Sequence, residues 1–261
     1  MQRKRPMLLA IDVGNTNTVL GIFEGENLVE CWRIASTHTR TVDESWMIIK
    51  LLCQDAGISK EQITGIIISS VVPQLTHIFE LTARKYFKIN PIIVNCHLNL
   101  GLKILYKNPE EVGADRICNA VAGKNYYSLP LIIVDFGTAT TFDILSADGD
   151  YLGGVISPGL ETAANDLVRR AAKLYKIKYE FPKSAIGKTT VEAMQYGILY
   201  GHVFMVDNII DRIADELKHE NVEVIATGGI AEEISKHSAR INKVDPQLTL
   251  KGLMLIYKMN T

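Results

Sequence analysis

The sequence predicts an α/β protein of two related domains, each a mixed sheet flanked by helices. The first observation is an internal repeat. Leu8-Leu9-Ala10-Ile11-Asp12-Val13-Gly14-Asn15-Thr16-Asn17-Thr18 lies over Leu131-Ile132-Ile133-Val134-Asp135-Phe136-Gly137-Thr138-Ala139-Thr140-Thr141. Both segments run four apolar residues, then Asp-x-Gly, then a stretch rich in Thr and Asn, then a second apolar strand. The match reaches Gly25 and Gly149, at offsets of 123 and 124 residues in a chain of 261. The second observation is the order of elements in each half, strands first and then helix alternating with strand, which describes a mixed sheet. The third is that no low-complexity linker separates the halves. Residues 1–128 and 129–261 are therefore expected to be two closely packed domains with a hinged cleft between them.

The elements follow from local pattern. Residues 7–13, 17–23 and 27–34 read as successive antiparallel strands joined by short polar turns. Val42 to Ala56 carries apolar residues at helical spacing (Trp46, Ile49, Leu52, Cys53, Ala56) and stops at Gly57. Thr64 to Val72 is a β-branched strand, Leu75 to Phe87 a helix, Ile92 to Val94 a strand and Ala114 to Tyr127 a helix. The second half repeats three strands over about 131–157, with a helix from near Leu160. A long helix from Thr190 to Leu217, a strand from Val222 to Ala226 and a helix after Gly229 complete the reading.

Composition narrows the function. The 28 basic and 29 acidic residues leave a net charge of −1, so no basic excess points to nucleic acid and a small polar ligand is expected. The four cysteines (Cys31, Cys53, Cys96, Cys118) form no C-x-x-C pair and read as free thiols in a reducing cytosol. Met1 to Pro6 is basic, but the apolar run after it, Met7 to Ile11, is shorter than a signal peptide's and far too short to cross a bilayer. A cytoplasmic protein with no membrane partner is expected, with the first six residues a disordered tail and Met7 an alternative start.

The repeated turn has the parts of a phosphate site. Gly14 and Gly137 let the backbone bend where a side chain would obstruct. The N–H groups there, with the hydroxyls of Thr16, Thr18, Thr138, Thr140 and Thr141, can donate to phosphate oxygens. Asp12 and Asp135 end their strands, and a carboxylate beside phosphates makes sense with a cation such as Mg²⁺ between them. One such turn is ordinarily a plain hairpin turn; two copies half a chain apart favour a shared nucleoside triphosphate. Gly228-Gly229, between a strand and a helix, can admit a purine or phosphate against bare backbone, or be an ordinary connector. The segment Gly153 to Gly159 has the same two readings.

These motifs resemble the actin-like, sugar-kinase and heat-shock ATPase superfamily, whose domains are ribonuclease H-like. More closely, the chain resembles bacterial type III pantothenate kinases, from about Met7 to the end. The resemblance rests on Asp12-Val-Gly-Asn-Thr16, Ser69-Ser-Val-Val-Pro73, Tyr106-Lys-Asn-Pro109 leading to Gly113-Ala-Asp-Arg116, and Asp135-Phe-Gly-Thr-Ala-Thr-Thr141. Gly153-Gly154 with Ser157-Pro158-Gly159, Gly187-Lys-Thr-Thr-Val191 and Gly228-Gly229 complete it, although Thr189 stands where many members carry Asn. The resemblance implies phosphorylation of pantothenate by ATP to 4′-phosphopantothenate, the first step of coenzyme A biosynthesis. It implies that Asp12, Val13, Gly14, Asn15, Thr16, Asn17, Thr18 and Val19 hold ATP phosphates, with Thr138 touching ATP and Asp12 near Mg²⁺ or another divalent cation. Asp135 would bind a monovalent cation, K⁺ or NH₄⁺. Asp115 would be the general base, and Tyr106, Gly113, Ala114, Asp115, Arg116 and Thr190 would contact pantothenate. A cytoplasmic homodimer is implied as well.

Each role has a plainer alternative. Asp115 opens an apolar-periodic helix, and the residues alone favour it as the N-cap; the resemblance reverses that preference. Arg116 can fork onto a substrate carboxylate or be a solvated helix-surface residue. Thr189-Thr190-Val191-Glu192 reads as a capping box, leaving Thr190 at a helix N-terminus that favours anions. Gly197 and Gly201 permit close approach of another helix, within the domain or across a dimer, with packing within the domain the favoured reading. The six histidines are scattered and receive no role. Three functions stay open: pantothenate kinase, a kinase of another small hydroxylated substrate, and a non-catalytic regulator like the Bvg accessory factors.

Overall fold

The computed structural model describes residues 6–219 and 221–261. Residues 1–5, and with them most of the basic tail read from the sequence, lie outside the described residues. The chain divides into two compact units, one of residues 1–125 with 247–261 and one of residues 126–246.

In the first unit β1 (Met7–Val13), β2 (Asn17–Glu24) and β3 (Asn27–Ala35) form an antiparallel meander. Helix α1 (Val42–Asp55) follows, capped reciprocally by Thr41 and Glu44. Strand β4 (Ile63–Ser70) then returns parallel to β1, α2 (Pro73–Thr82) continues into a π turn over Ala83–Phe87, and β5 (Ile92–Ile93) pairs parallel with β4. Helix α3 is Ala114–Tyr126. The sheet order is β3-β2-β1-β4-β5. Strand side chains alternate faces. Leu9, Ile11 and Val13 thus enter a core with Ile49 of α1 and Phe79 of α2, while Leu8, Ala10 and Asp12 share the opposite face.

The second unit repeats the plan. Strands β6 (Leu131–Phe136), β7 (Ala139–Leu145) and β8 (Tyr151–Pro158) form the meander, followed by α4 (Leu160–Arg170). Helices α5 (Thr190–Gln195) and α6 (Gly201–Leu217) are joined by a π turn over Tyr196–Tyr200, so the long helix read from 190 to 217 is one run with a wide turn inside it. Strand β9 (Glu223–Gly228) lies parallel beside β6, the helix after Gly229 is the short α7 (Ala231–Ser235), and β10 (Lys243–Val244) closes the sheet. The order β10-β9-β6-β7-β8 matches the first sheet strand for strand. Even the hairpin glycines agree, because Gly25 and Gly149 both take positive φ, 63° and 79°.

The last helix, α8 (Leu248–Met259), groups with the first unit, whereas the sequence division placed residues 129–261 together. It packs against β1 and β4. Gly252 brings it against α3, where a Cβ would stand 2.0 Å from the Cys118 carbonyl oxygen. Thr249 also donates to buried Asn119 of α3 at 2.8 Å. Packing within the domain at Gly197 and Gly201 is corrected: among the described residues of the chain nothing lies within 4 Å of a Cβ added at either. Among the described residues no helix is long and apolar enough to cross a membrane.

Candidate active site

In the first unit the candidate residues gather where β1 and β4 end and α3 begins. Asp12 is partly exposed near the end of β1, and the next residues turn over an exposed tip, Asn15 to Asn17. The Gly14 N–H closes this turn on the Asn17 carbonyl at 3.0 Å, so it is already engaged. Thr18 is fully buried, its hydroxyl 2.8 Å from Ser36 Oγ. The exposed polar groups of the turn are therefore Asn15, Thr16 and Asn17, and Thr18 anchors it from beneath. Val13 is buried and Val19 half-buried in their strands.

Asp115 is the second residue of α3, and the first helical bond runs from the Ile117 N–H to the Gly113 carbonyl at 3.0 Å. Gly113 thus holds the cap position that the alternative reading gave to Asp115. The Asp115 carboxylate instead accepts the Arg116 N–H at 2.8 Å. Burial pushes its pKa up from the ordinary carboxylate range, opposed by that hydrogen bond and the Arg116 charge. A carboxyl group raised in this way suits a general base working near neutral pH. Arg116 is 7% exposed, which removes the solvated-surface reading. Ala114 is buried beside it, and Tyr106 is half-buried in the loop before the short turn Pro109–Glu111.

Gly113 is confined by the site, since a Cβ there would lie 2.5 Å from Asp115 Oδ1. Gly113→Ala is expected to turn the carboxylate away and lower turnover while the protein stays folded. Steady-state kinetics beside a thermal melt measure this, and unchanged kinetics would show that the carboxylate position is immaterial.

An open depression of about 400 Å³ lies along Ser70, Val71, Pro73, Thr76, His77 and Glu80. Val71 also lies 3.6 Å from the Gly113 Cβ position, so the depression adjoins the start of α3. A cavity of about 440 Å³, lined by Trp46, Phe87 and Ile63 among others, sits where β4 begins, at the opposite end of the strand from Ser69. Ligands of such sheets bind at the carboxyl ends of the strands, so we assign the chemistry to the smaller depression's side.

In the second unit Asp135 lies one residue before the end of β6. The register shows the two turns differ in length. Asp12 pairs with Val19 but Asp135 with Thr141, so the first turn is one residue longer. Thr18 therefore corresponds to Thr140, not to Thr141 as the ungapped overlay had it. Both are fully buried, and Thr140 Oγ1 lies 3.1 Å from Nε2 of His202. Burial lowers the His202 pKa and keeps the ring neutral, which gives one histidine a structural role that the sequence did not suggest.

Gly137 and Thr138 form the exposed tip, and the Gly137 N–H donates to the Ala139 carbonyl at 3.0 Å. The Thr138 carbonyl accepts the Gly159 N–H at 3.1 Å and the Thr162 hydroxyl at 2.7 Å, tying the turn to the start of α4. A Cβ on Gly159 would fall 2.3 Å from the Gly137 carbonyl oxygen. Gly228, at φ 94°, passes so close that a Cβ would lie 2.4 Å from Phe136 O and 2.7 Å from Asp135 Oδ1. Both glycine segments thus shape this turn. Thr190 opens α5, whose cap differs from the expected box: the Glu192 N–H bonds to Thr189 Oγ1, while the Glu192 carboxylate accepts the Lys188 N–H at 2.7 Å.

Among the described residues no group of three or more His, Cys, Asp or Glu could hold a metal by itself. Mg²⁺ needs none, because one or two carboxylates with waters and phosphates suffice, and the partly exposed Asp12 fits that demand.

Known proteins share the fold of this chain. A conserved protein assigned to the Baf family of transcriptional activators from Campylobacter jejuni is 19% identical, covers 96% of this chain and 97% of its own, and superposes with a TM-score of 0.61. The activator of 2-hydroxyisocaproyl-CoA dehydratase from Clostridium difficile, solved with bound ADPNP, is 15% identical over 96% and 93% of the two chains, with a TM-score of 0.52. An inorganic polyphosphate/ATP-glucomannokinase from Arthrobacter sp. strain KM is 12% identical over 97% and 98%, with a TM-score of 0.51. These likenesses show the fold, that of the actin-like ATPases and sugar kinases. The family model for type III pantothenate kinase matches residues 8–212. On that match, the chain belongs to the type III pantothenate kinase family.

Proposed function

We propose that this protein transfers the γ-phosphoryl group of ATP to the terminal hydroxyl of pantothenate, with Asp115 as general base. Family membership makes it an ATP-dependent kinase that uses ATP with a divalent cation. The observation that carries the residue assignment is the Asp115 carboxylate, raised in pKa by burial beside the buried Arg116 at the start of α3. Phosphoryl transfer needs positioning, charge neutralisation and a carboxylate to take the attacking hydroxyl's proton. Asp115 takes that proton, Arg116 offers a planar fork to the pantothenate carboxylate, and Tyr106, Gly113, Ala114 and Thr190 complete the substrate contacts. The turn from Asp12 to Val19 holds ATP phosphates through its exposed tip, with Thr18 bracing it, and Thr138 touches ATP. Bound Mg²⁺ neutralises phosphate charge beside Asp12. Asp135 holds the monovalent cation, K⁺ or NH₄⁺, and the protein works as a cytoplasmic homodimer.

A coupled ADP-release assay with and without pantothenate tests this reading, with mass analysis of the product. Release that requires pantothenate is the expected result. Release indifferent to pantothenate would turn the reading toward another hydroxylated substrate, and none at all toward the regulator. Exchanging K⁺ for Na⁺ is expected to lower the rate, and an unchanged rate would remove the role given to Asp135.

A further inference from the structure

Parallel pairing of β1 with β4 makes Asp12 and Ser69 register partners, so their side chains leave the sheet on one face. Ser69 is fully buried, and its hydroxyl donates to Asp12 Oδ1 at 2.9 Å. Cys118 of α3, also fully buried, lies near the charges of both Asp12 and Asp115. The one proton of Ser69 goes to Asp12. The α8 backbone closes on Cys118 at Gly252, which prevents the thiol's helix from drifting. The second unit keeps the same placement, with buried Thr227 the register partner of Asp135.

We propose that Ser69 is a positioning residue for phosphoryl transfer, fixing the rotation of the Asp12 carboxylate. This rests on the reading of Asp12 as the carboxylate on the Mg²⁺–phosphate side. A carboxylate on a strand end turns about its last bond. The short bond from the buried Ser69 hydroxyl helps hold it in a single setting, ready for a cation that demands strict geometry.

The test measures Mn²⁺ affinity in the presence of ADP by electron paramagnetic resonance, beside the Mg²⁺ dependence of turnover, KM for pantothenate and the thermal midpoint. Ser69→Ala is expected to weaken Mn²⁺ binding about tenfold, as loss of a hydrogen bond to a charged group does. Saturating Mg²⁺ should recover turnover, and KM for pantothenate should stay close to wild type. Ser69→Cys, similar in shape but a weaker donor, should fall between. Wild-type metal dependence in Ser69→Ala, whatever its melting point, would overturn the proposal. Asp12→Asn separates the layers. Loss of Mn²⁺ affinity there, with none in Ser69→Ala, overturns the positioning role alone. Wild-type affinity in both overturns the assignment of Asp12 as well.

Discussion

Asp115→Asn is expected to lower kcat by about 10²–10⁴-fold, the usual contribution of a general base, and to leave the fold intact. Asn keeps the shape and an oxygen for the Arg116 N–H that Asp115 accepts at 2.8 Å. It loses only the capacity to take a proton. Stability should move the other way. Because burial raises the folded pKa of Asp115 above 3.8, ionisation is costlier in the folded state than in the unfolded one. That cost is absent below the unfolded value and develops as pH rises through the folded one. At neutral pH the Asn variant should therefore melt at or above the wild-type temperature, with the advantage gone in acid. The same shift places the acid limb of wild-type kcat/KM above the ordinary Asp range. An active Asn variant, or an acid limb at an ordinary carboxylate value, would take the base assignment away from Asp115.

The second large effect is expected at Gly228. Alanine there meets a backbone held at φ 94° and neighbours that cannot yield, the Phe136 carbonyl oxygen and nitrogen at 2.4 and 2.6 Å. Strain of about 1–3 kcal/mol from the dihedral and about 1–3 kcal/mol from overpacking together exceed what most substitutions cost. The remaining close atom is Asp135 Oδ1 at 2.7 Å, so surviving folded protein should also lose its response to monovalent cations. Gly201→Ala is the matched control. Nothing lies within 4 Å of its added Cβ, and the change should be neutral or stabilising by up to about 1 kcal/mol. Urea unfolding of both variants gives the answer, and equal midpoints would show that Gly228 is a connector with room to spare.

The repeat was legible because it is written in contiguous residues. Apolar strand, Asp-x-Gly turn and second strand are local patterns, and both sheets follow them in the same order. The motif positions Asp115 and Arg116 were legible for the same reason. What escaped the sequence depends on contacts between distant segments. Ser69 stood inside a recognised motif, yet only the pairing of β4 with β1 sets it beside Asp12, 57 residues away. Cys118 looked like an ordinary core thiol, since its nearness to Asp12 depends on how distant segments pack. The extra residue in the first turn was hidden by an overlay that needed a gap just where both segments are rich in Thr and Asn. Helix α8 was not read from the sequence; it is buried on several sides, with Leu248, Leu250, Leu253, Met254 and Ile256 all inside.

The first unit is discontinuous along the chain, with residues 126–246 inserted before its final helix. During synthesis at about 5–20 residues per second, β1, β4 and α3 leave the ribosome many seconds ahead of α8. For that interval the face carrying Leu8, Ala10 and Asp12 lacks its cover, and Cys118 lacks the Gly252 backbone behind it. The first unit is thus completed only when its final helix is made, long after the strands and helix that carry both candidate carboxylates.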